Sequence, residues 1–104
     1  MHKFSFLFAA LLSIFAGQAA AQNSVADYIC GLYEKSMKTE ILKLRQQGAP
    51  LYSTLNLFNN EKNPGLRDFL QQETREIFAD PDKGRKYLES GQFRPACIKA
   101  YRGY

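Results

Sequence analysis

The sequence predicts an all-α fold, a small bundle of four or five short helices stapled by one disulfide between Cys30 and Cys97. Three observations indicate this class. Apolar residues recur at steps of three and four, as on one side of a helix. Proline and glycine separate these stretches, and the alternating apolar and polar runs typical of strands are absent. The length of 104 residues allows one domain.

The first helix is predicted to follow Ser24, a candidate N-cap with Asp27 three residues later. Its apolar stripe consists of Ala26, Cys30, Tyr33, Met37, Ile41 and Leu44. Gly48 ends the helix, and Pro50 stands just beyond it. A second apolar side carries Tyr28, Leu32 and Leu42. Two such sides indicate either a central position in the fold, which is the simpler interpretation, or a contact with another chain such as a homodimer partner.

The second helix is predicted from Pro50 to Phe58, with Pro50 at its first position. We expect its inward side to consist of Leu51, Leu55 and Phe58. Residues 59–63 are polar and turn-forming, and are predicted to be an exposed loop. Pro64 then opens the third helix, whose apolar face consists of Leu66, Phe69, Leu70 and Ile77. We expect the Gln, Glu and Arg side chains of this helix to face water.

The Asp80-Pro81 pair ends the third helix and starts the fourth, with Asp80 as the cap and Pro81 in the first turn. The fourth helix contains Gly84 and ends at Gly91. We expect it to bury Tyr87 and Leu88. A last turn or two is predicted to begin at Pro95 and to carry Cys97, Ile98 and Tyr101.

Residues 1–21 have the three parts of a secretory signal peptide. Lys3 is the positive start, residues 4–16 are an apolar run broken by two serines, and Ala19-Ala20-Ala21 predicts cleavage before Gln22. The apolar run is shorter than the about 20 residues that span a bilayer. The alternative is an N-terminal anchor helix. We therefore expect residues 22–104 to form one periplasmic or secreted domain that is not stably inserted in a membrane.

The predicted export of the chain determines how its two cysteines are interpreted. In an oxidising compartment, two cysteines are most simply explained as one disulfide. Cys30 and Cys97 have 66 residues between them. Closing a loop of this length stabilises a fold by about 4 kcal/mol in the chain-entropy model. The alternative is two free thiols. A reactive thiol has no support, since there is no Cys-x-x-Cys motif and no nearby histidine.

Catalytic, metal and cofactor sites are not expected. The only histidine, His2, lies in the predicted signal peptide, which excludes histidine-dependent nucleophilic catalysis and common zinc sites. Glu73 with Glu76 and Asp80 with Asp82 are the two carboxylate pairs that acid–base chemistry could use. We interpret the glutamates as a solvated helix face and the aspartates as groups that favour a helix N-terminus. The chain is therefore predicted not to be an enzyme.

Positive charge is concentrated at the C-terminal end. The whole chain carries +4, and removing residues 1–21 takes away Lys3 and leaves +3. Cations and aromatic residues interleave after Pro81, which indicates either a solvated face or a binding surface for an acidic protein. Nucleic acid is disfavoured by export. The candidate partner-binding residues are Lys83, Arg85, Lys86, Tyr87, Arg94, Tyr101 and Arg102.

Several short motifs carry a family resemblance: Tyr28-Ile29-Cys30-Gly31-Leu32, residues 44–51, Leu66-Arg67 and Ala96-Cys97. In these the chain resembles small exported two-cysteine helical proteins of uncharacterised function from Gram-negative bacteria and their phages. The resemblance covers most of the mature chain and implies a helical domain with paired cysteines, without an activity. In overall plan the chain is also similar to periplasmic acid-stress chaperones of the HdeA type. It departs from them before Cys30, where Tyr28-Ile29 replaces a Trp-containing motif.

Two functions follow from these observations. The first is a non-enzymatic protein-binding module of the periplasm, of the inhibitor or immunity type. The second is an acid-stress chaperone of HdeA-like architecture, which opens at low pH and holds many clients. A structural envelope component is a third class without a positive sequence feature.

Overall fold

A computed structural model describes residues 25–103, which form five helices and no strand. Helix α1 is the stretch 25–46 and includes a π turn at Met37–Ile41. Helix α2 is Leu51–Leu55, continued by a 3₁₀ turn at Asn56–Phe58. Helices α3, α4 and α5 are Pro64–Ala79, Pro81–Glu89 and Phe93–Arg102. The all-α prediction is confirmed. The predicted signal peptide and the Ser24 cap lie outside the described residues.

The disulfide joins Cys30 of α1 to Cys97 of α5, with 5.8 Å between the two Cα atoms. Both cysteines are fully buried. The predicted link between the first and last helices is therefore confirmed. Disulfides persist in oxidising compartments, so this bond fits an exported protein.

Helix α3 lies at the centre of the fold and contacts each of the other four helices. The core around it includes Met37, Leu66, Leu70, Leu88 and Phe93, all of them fully buried. Burying a side chain of this size contributes about 1.5–3 kcal/mol before entropy costs. The central position expected for the first helix thus belongs to α3.

Most helix ends follow the predicted local chemistry. The Asp80 side chain accepts a hydrogen bond from the Lys83 N–H at 3.1 Å, so the predicted cap of α4 is confirmed. Gly48 and Gly91 follow their helices with φ of 80° and 83°, the left-handed conformation that glycine adopts without strain. Asn63, expected in an exposed loop, is half-buried and caps α3 by accepting from the Leu66 N–H.

Two helix starts were predicted wrongly. Pro50 has ψ of 141° and is the N-cap of α2, so it lies outside the helix, and Leu51 is exposed where an inward position was expected. Helix α5 begins at Phe93, which leaves Pro95 within its first turn. Proline is tolerated there because the first-turn N–H groups have no partner inside the helix. The early start buries the Phe93 ring against Phe69, with 5.4 Å between ring centroids.

Candidate functional site

The candidate cations of α4 do not share one face. Lys83 and Lys86 are exposed, and Lys83 lines a cleft between α3 and α4. Arg85 points to another side of the helix, where its Nη1 lies 3.2 Å from Asp82 Oδ1. Exposed pairs of this kind contribute little to stability. Only Lys83 and Lys86 therefore remain as neighbouring exposed cations on α4.

The other candidate residues are Tyr87 of α4 and three residues of α5, namely Arg94, Tyr101 and Arg102. The Tyr87 hydroxyl donates to Glu73 Oε1 at 2.7 Å, and Arg94 pairs with acidic residues of α1. The Tyr101 carbonyl oxygen accepts from Asn63 Nδ2 at 2.8 Å, and Arg102 is exposed at the C-terminal end of α5. The seven residues thus lie on different helix sides. Their role in partner binding stays a prediction.

Helix α1 exposes three large apolar side chains on one of its sides. Val25, Tyr28 and Leu32 are 48%, 68% and 50% exposed. They follow one another at steps of three and four, which places them on one side of the helix. We call these three residues the α1 face. Lys35, one turn beyond Leu32, continues the same side with an exposed cation.

The disulfide and an ion pair hold the opposite side of α1. Cys30 lies between Tyr28 and Leu32 in sequence but points into the core toward Cys97. Four residues later, Glu34 accepts a hydrogen bond from Arg94 Nη2 at 2.9 Å. Helix α1 is therefore fixed to α5 at two adjacent turns, and the α1 face is presented on a rigid support.

The π turn explains why the second apolar side of α1 divides into an exposed and a buried part. The Leu42 N–H donates to the Met37 carbonyl oxygen, a step of five residues. A π turn holds about one residue more than an α turn, so later side chains are rotated around the helix axis. Leu42 is thereby buried, whereas Tyr28 and Leu32, which precede the turn, are exposed.

Helix α2 and its 3₁₀ turn also expose apolar side chains. Tyr52 is 77% exposed and Leu57 is 58% exposed. They are five residues apart, which places them on different sides of a helix. They therefore do not form a helical stripe like the α1 face, and they serve as matched control positions for it.

A cleft of about 310 Å³ separates α3 from α4. Its ionisable lining consists of Glu73, Glu76, Asp80, Lys83 and Tyr87. Glu73 is only 6% exposed, so the prediction of a solvated glutamate pair was wrong for this residue. Glu73 follows Leu70 by three residues and precedes Ile77 by four, and this spacing places it on the buried stripe of α3.

Burial raises the pKa of Glu73 to about 7, because desolvation disfavours the carboxylate. The hydrogen bond from Tyr87 lowers this pKa, whereas the adjacent Glu76 carboxyl raises it through hydrogen bonding and repulsion. The pKa of Tyr87 is raised as well, first by burial and then by its bond to Glu73. The two glutamates thus differ in environment, since Glu73 is buried and Glu76 is exposed.

Glu73 and Glu76 are one turn apart on α3, and both line the cleft. Glu73 is buried there, whereas Glu76 is exposed. Within residues 25–103, no three His, Cys, Asp or Glu side chains are grouped to hold a metal ion.

Comparison with protein-family models, curated proteins and solved structures gave no significant match to this chain. None of the described helices is both long enough and apolar enough to cross a membrane.

Proposed function

We propose that this chain is a non-enzymatic protein-binding module of the periplasm or the secreted fraction, of the inhibitor or immunity type. One observation carries the proposal. The α1 face places three large apolar side chains in solvent, each about half exposed or more, on a helix fixed by a disulfide. Exposed apolar groups on one side of a small domain are typical of surfaces that bind another protein.

The composition of the face suits an interface. Tyrosine anchors binding sites well because it has a large rigid ring and a polar hydroxyl. Leu32, one turn along the helix, extends the apolar contact. A helix held at Cys30 and Glu34 loses little conformational entropy on binding, so more of the contact energy is available as affinity.

The positive charge near the α1 face indicates what kind of partner surface would complement it. Lys35 lies beside the α1 face, Lys38 is exposed on the next turn, and the predicted mature chain carries +3. An apolar pocket with an acidic rim on the partner would complement this surface. The proposal is therefore one specific protein partner with an acidic surface.

The experiment compares two double variants of the exported, oxidised protein. Capture from a periplasmic extract followed by mass spectrometry identifies a stoichiometric partner, and the complex is then rebuilt from purified components. We expect Y28S/L32S to weaken it at least tenfold, or about 1.4 kcal/mol. The matched control Y52S/L57S removes exposed apolar groups from α2 and should change the affinity little. Equal losses in both variants would contradict a role for the α1 face.

The alternative function is an acid-activated chaperone, supported by the two-cysteine helical plan. Its test is suppression of client aggregation at about pH 3, where the carboxylates are protonated. The burial of Glu73 disfavours this function, because a carboxyl with a raised pKa makes the folded state more stable on acidification to about pH 5. Acid opening would have to overcome that contribution.

A further inference from the structure

We propose that the α1 face receives an amphipathic α-helix of the partner protein, about three turns long, with acidic residues beside one end of its apolar stripe. This inference rests on the proposed function and deepens it, because it specifies the structure and the charge pattern of the segment that binds. The spacing of the exposed side chains, the hydrogen bonding of the α1 backbone and the charges beside the face support it.

The spacing of the α1 face is that of a contact between two helices. Val25, Tyr28 and Leu32 are followed by Lys35, and all four side chains are exposed. Val25 and Leu32 are one heptad apart, as are Tyr28 and Lys35, which is the repeat with which one helix packs along another. The row precedes the π turn and lies wholly in regular α-helix. It is about 15 Å long, which corresponds to about three turns of a second helix.

The backbone of this part of α1 offers little to an extended segment. Residues 25–36 are α-helical, so beyond the first turn their N–H and C=O groups are hydrogen-bonded within the helix. An extended peptide binds chiefly through main-chain hydrogen bonds to a free sheet edge. Side chains are therefore the contacts that α1 provides, and a helix meets such a row with a matching row of its own.

Small residues on both flanks of the row allow a second helix to approach closely. Gly31 and Ser36 lie on opposite sides of the row by their helical spacing, and both are partly buried. On the Gly31 side, Arg94 Nη2 lies 3.5 Å from where a Cβ of Gly31 would stand. Side chains of a docked helix therefore have room beside the Tyr28 and Leu32 side chains.

The charges beside the row indicate acidic residues on the docked helix. Lys35 and Lys38 are exposed, and neither is ion-paired within residues 25–103. Arg94 differs, because its guanidinium pairs with Asp27 and Glu34. Carboxylates opposite the last turn of the row would thus meet two cations that have no partner in the fold.

A second copy of this chain complements the row poorly. In a parallel arrangement each Lys35 would face the Lys35 of the other copy, and like charges repel. In an antiparallel arrangement that matches Tyr28 with Leu32, each Lys35 would face Val25. The nearby Asp27 is already paired with Arg94. The row therefore fits a different, acidic helix better than it fits itself.

The first test uses a defined probe and does not require the natural partner. The probe is a peptide of about 14 residues, or about 21 Å, held helical by a hydrocarbon staple on its outer side. One side carries leucines, with glutamates beside them at one end. A second peptide has lysine in place of each glutamate. Fluorescence anisotropy at low salt measures the affinity of each peptide for the oxidised protein.

We expect the glutamate peptide to bind at least tenfold more tightly than the lysine peptide. Y28S/L32S should weaken the glutamate peptide at least tenfold, because it removes the apolar contacts. Y52S/L57S removes exposed apolar groups from α2 and its 3₁₀ turn and should have little effect. Failure of the glutamate peptide to bind, or equal weakening by both variants, would overturn the proposal.

The charge pattern is tested by reversal. In K35E/K38E the preference should invert, so that the lysine peptide binds more tightly than the glutamate peptide. K62E/K99E changes the net charge equally at exposed positions away from α1 and should keep the wild-type preference. An unchanged preference in K35E/K38E, or inversion in both variants, would contradict acidic residues facing Lys35 and Lys38.

Two other occupants of the α1 face are tested with the protein alone. Co-sedimentation with vesicles of phosphatidylglycerol and phosphatidylethanolamine tests an anionic lipid surface, and sedimentation equilibrium tests a second copy. We expect no vesicle binding and a monomer. Vesicle binding or a dimer that is lost in Y28S/L32S would assign the face to lipid or to a second copy and would overturn the proposal.

Photo-cross-linking in the complex rebuilt from purified components separates this inference from the proposed function. Val25 and Leu32 are about 10 Å apart along α1, and each is replaced in turn by p-benzoyl-phenylalanine. The captured partner positions should be about seven residues apart on a helix, against about three on an extended segment. A spacing of about three, in a complex that Y28S/L32S weakens, would overturn the helix and leave the protein-binding function intact. A complex that Y28S/L32S leaves unchanged would contradict both.

Discussion

The guanidinium of Arg94 crosses from α5 to α1 and donates to Glu34 Oε1 at 2.9 Å, one helical turn from the disulfide. The Glu34 side chain is 11% exposed and that of Arg94 is 43% exposed. The side chain of Arg94 also lies beside Gly31. A residue that the charge pattern placed in a partner-binding surface therefore joins the first and last helices.

Removing this cation should leave Glu34 buried and unpaired. We expect Arg94→Met, which keeps the apolar stem, to lower the free energy of unfolding by about 2 kcal/mol. This is below the cost of breaking a fully buried pair because Arg94 is partly exposed. Adding Glu34→Gln should recover about half of the loss, as a double-mutant cycle in urea would measure. The control R85M breaks the exposed pair with Asp82 and should cost about 0.5 kcal/mol or less.

The disulfide should account for a large share of the stability. Cys30 and Cys97 are 67 residues apart in sequence, and we expect C30S/C97S to lose about 4 kcal/mol in urea unfolding. The physical reason is the larger conformational freedom of the unfolded chain without the cross-link. Reduction of the wild-type protein with dithiothreitol is the matched comparison and should give a similar loss. A loss below about 1 kcal/mol in both would contradict this account.

The helix boundaries that local chemistry controls were predictable. Asp80 caps α4, and Gly48 and Gly91 end their helices, because each of these residues satisfies a local backbone requirement. The burial of Glu73 had a usable signal as well, since its spacing from Leu70 and Ile77 places it on the apolar stripe. A glutamate on a helix usually faces water, but the position of Glu73 on this stripe buries it.

The π turn of α1 had no comparable local signal. Met37–Ile41 contains ordinary helix-forming residues, and Thr39 back-bonds to the Lys35 carbonyl oxygen at 2.8 Å. The extra residue in the turn is compensated by tertiary packing, because it brings Leu42 into the core. The division of the second apolar side into an exposed α1 face and a buried Leu42 could therefore not be predicted from spacing alone.

The exposed cations of α4 should affect the association rate of a complex more than its dissociation rate. We expect K83E/K86E to slow association with an acidic partner by about tenfold at low salt and to change dissociation little. The control K43E/K62E changes the net charge equally at exposed positions on α1 and in the loop. Surface plasmon resonance at two salt concentrations separates the rates. Equal slowing by both variants would indicate a net-charge effect instead of a local surface, and no effect on a demonstrated complex would exclude this region.

Two glycines inside helices should respond oppositely to alanine, because their surroundings differ. A Cβ added at Gly84 would lie 2.9 Å from Ile77 Cγ1 and 3.1 Å from Ile77 Cα. The Ile77 Cα belongs to the backbone of α3, so this contact can be relieved only if α4 shifts away from α3. At Gly31 the nearest atom is Arg94 Nη2 at 3.5 Å, an ordinary contact. Alanine also favours a helix over glycine by up to about 1 kcal/mol.

We therefore expect Gly84→Ala to lower the free energy of unfolding by about 1–3 kcal/mol in spite of its better helix propensity. Gly31→Ala should be neutral or stabilising by up to about 1 kcal/mol. Urea unfolding of the two variants at one pH makes the comparison. The clash at Gly84 should also separate Tyr87 from Glu73, so the pKa of Glu73 should change in G84A and remain as in the wild type in G31A. If Gly84→Ala stabilised the protein as much as Gly31→Ala, the close packing of α4 on α3 would be wrong.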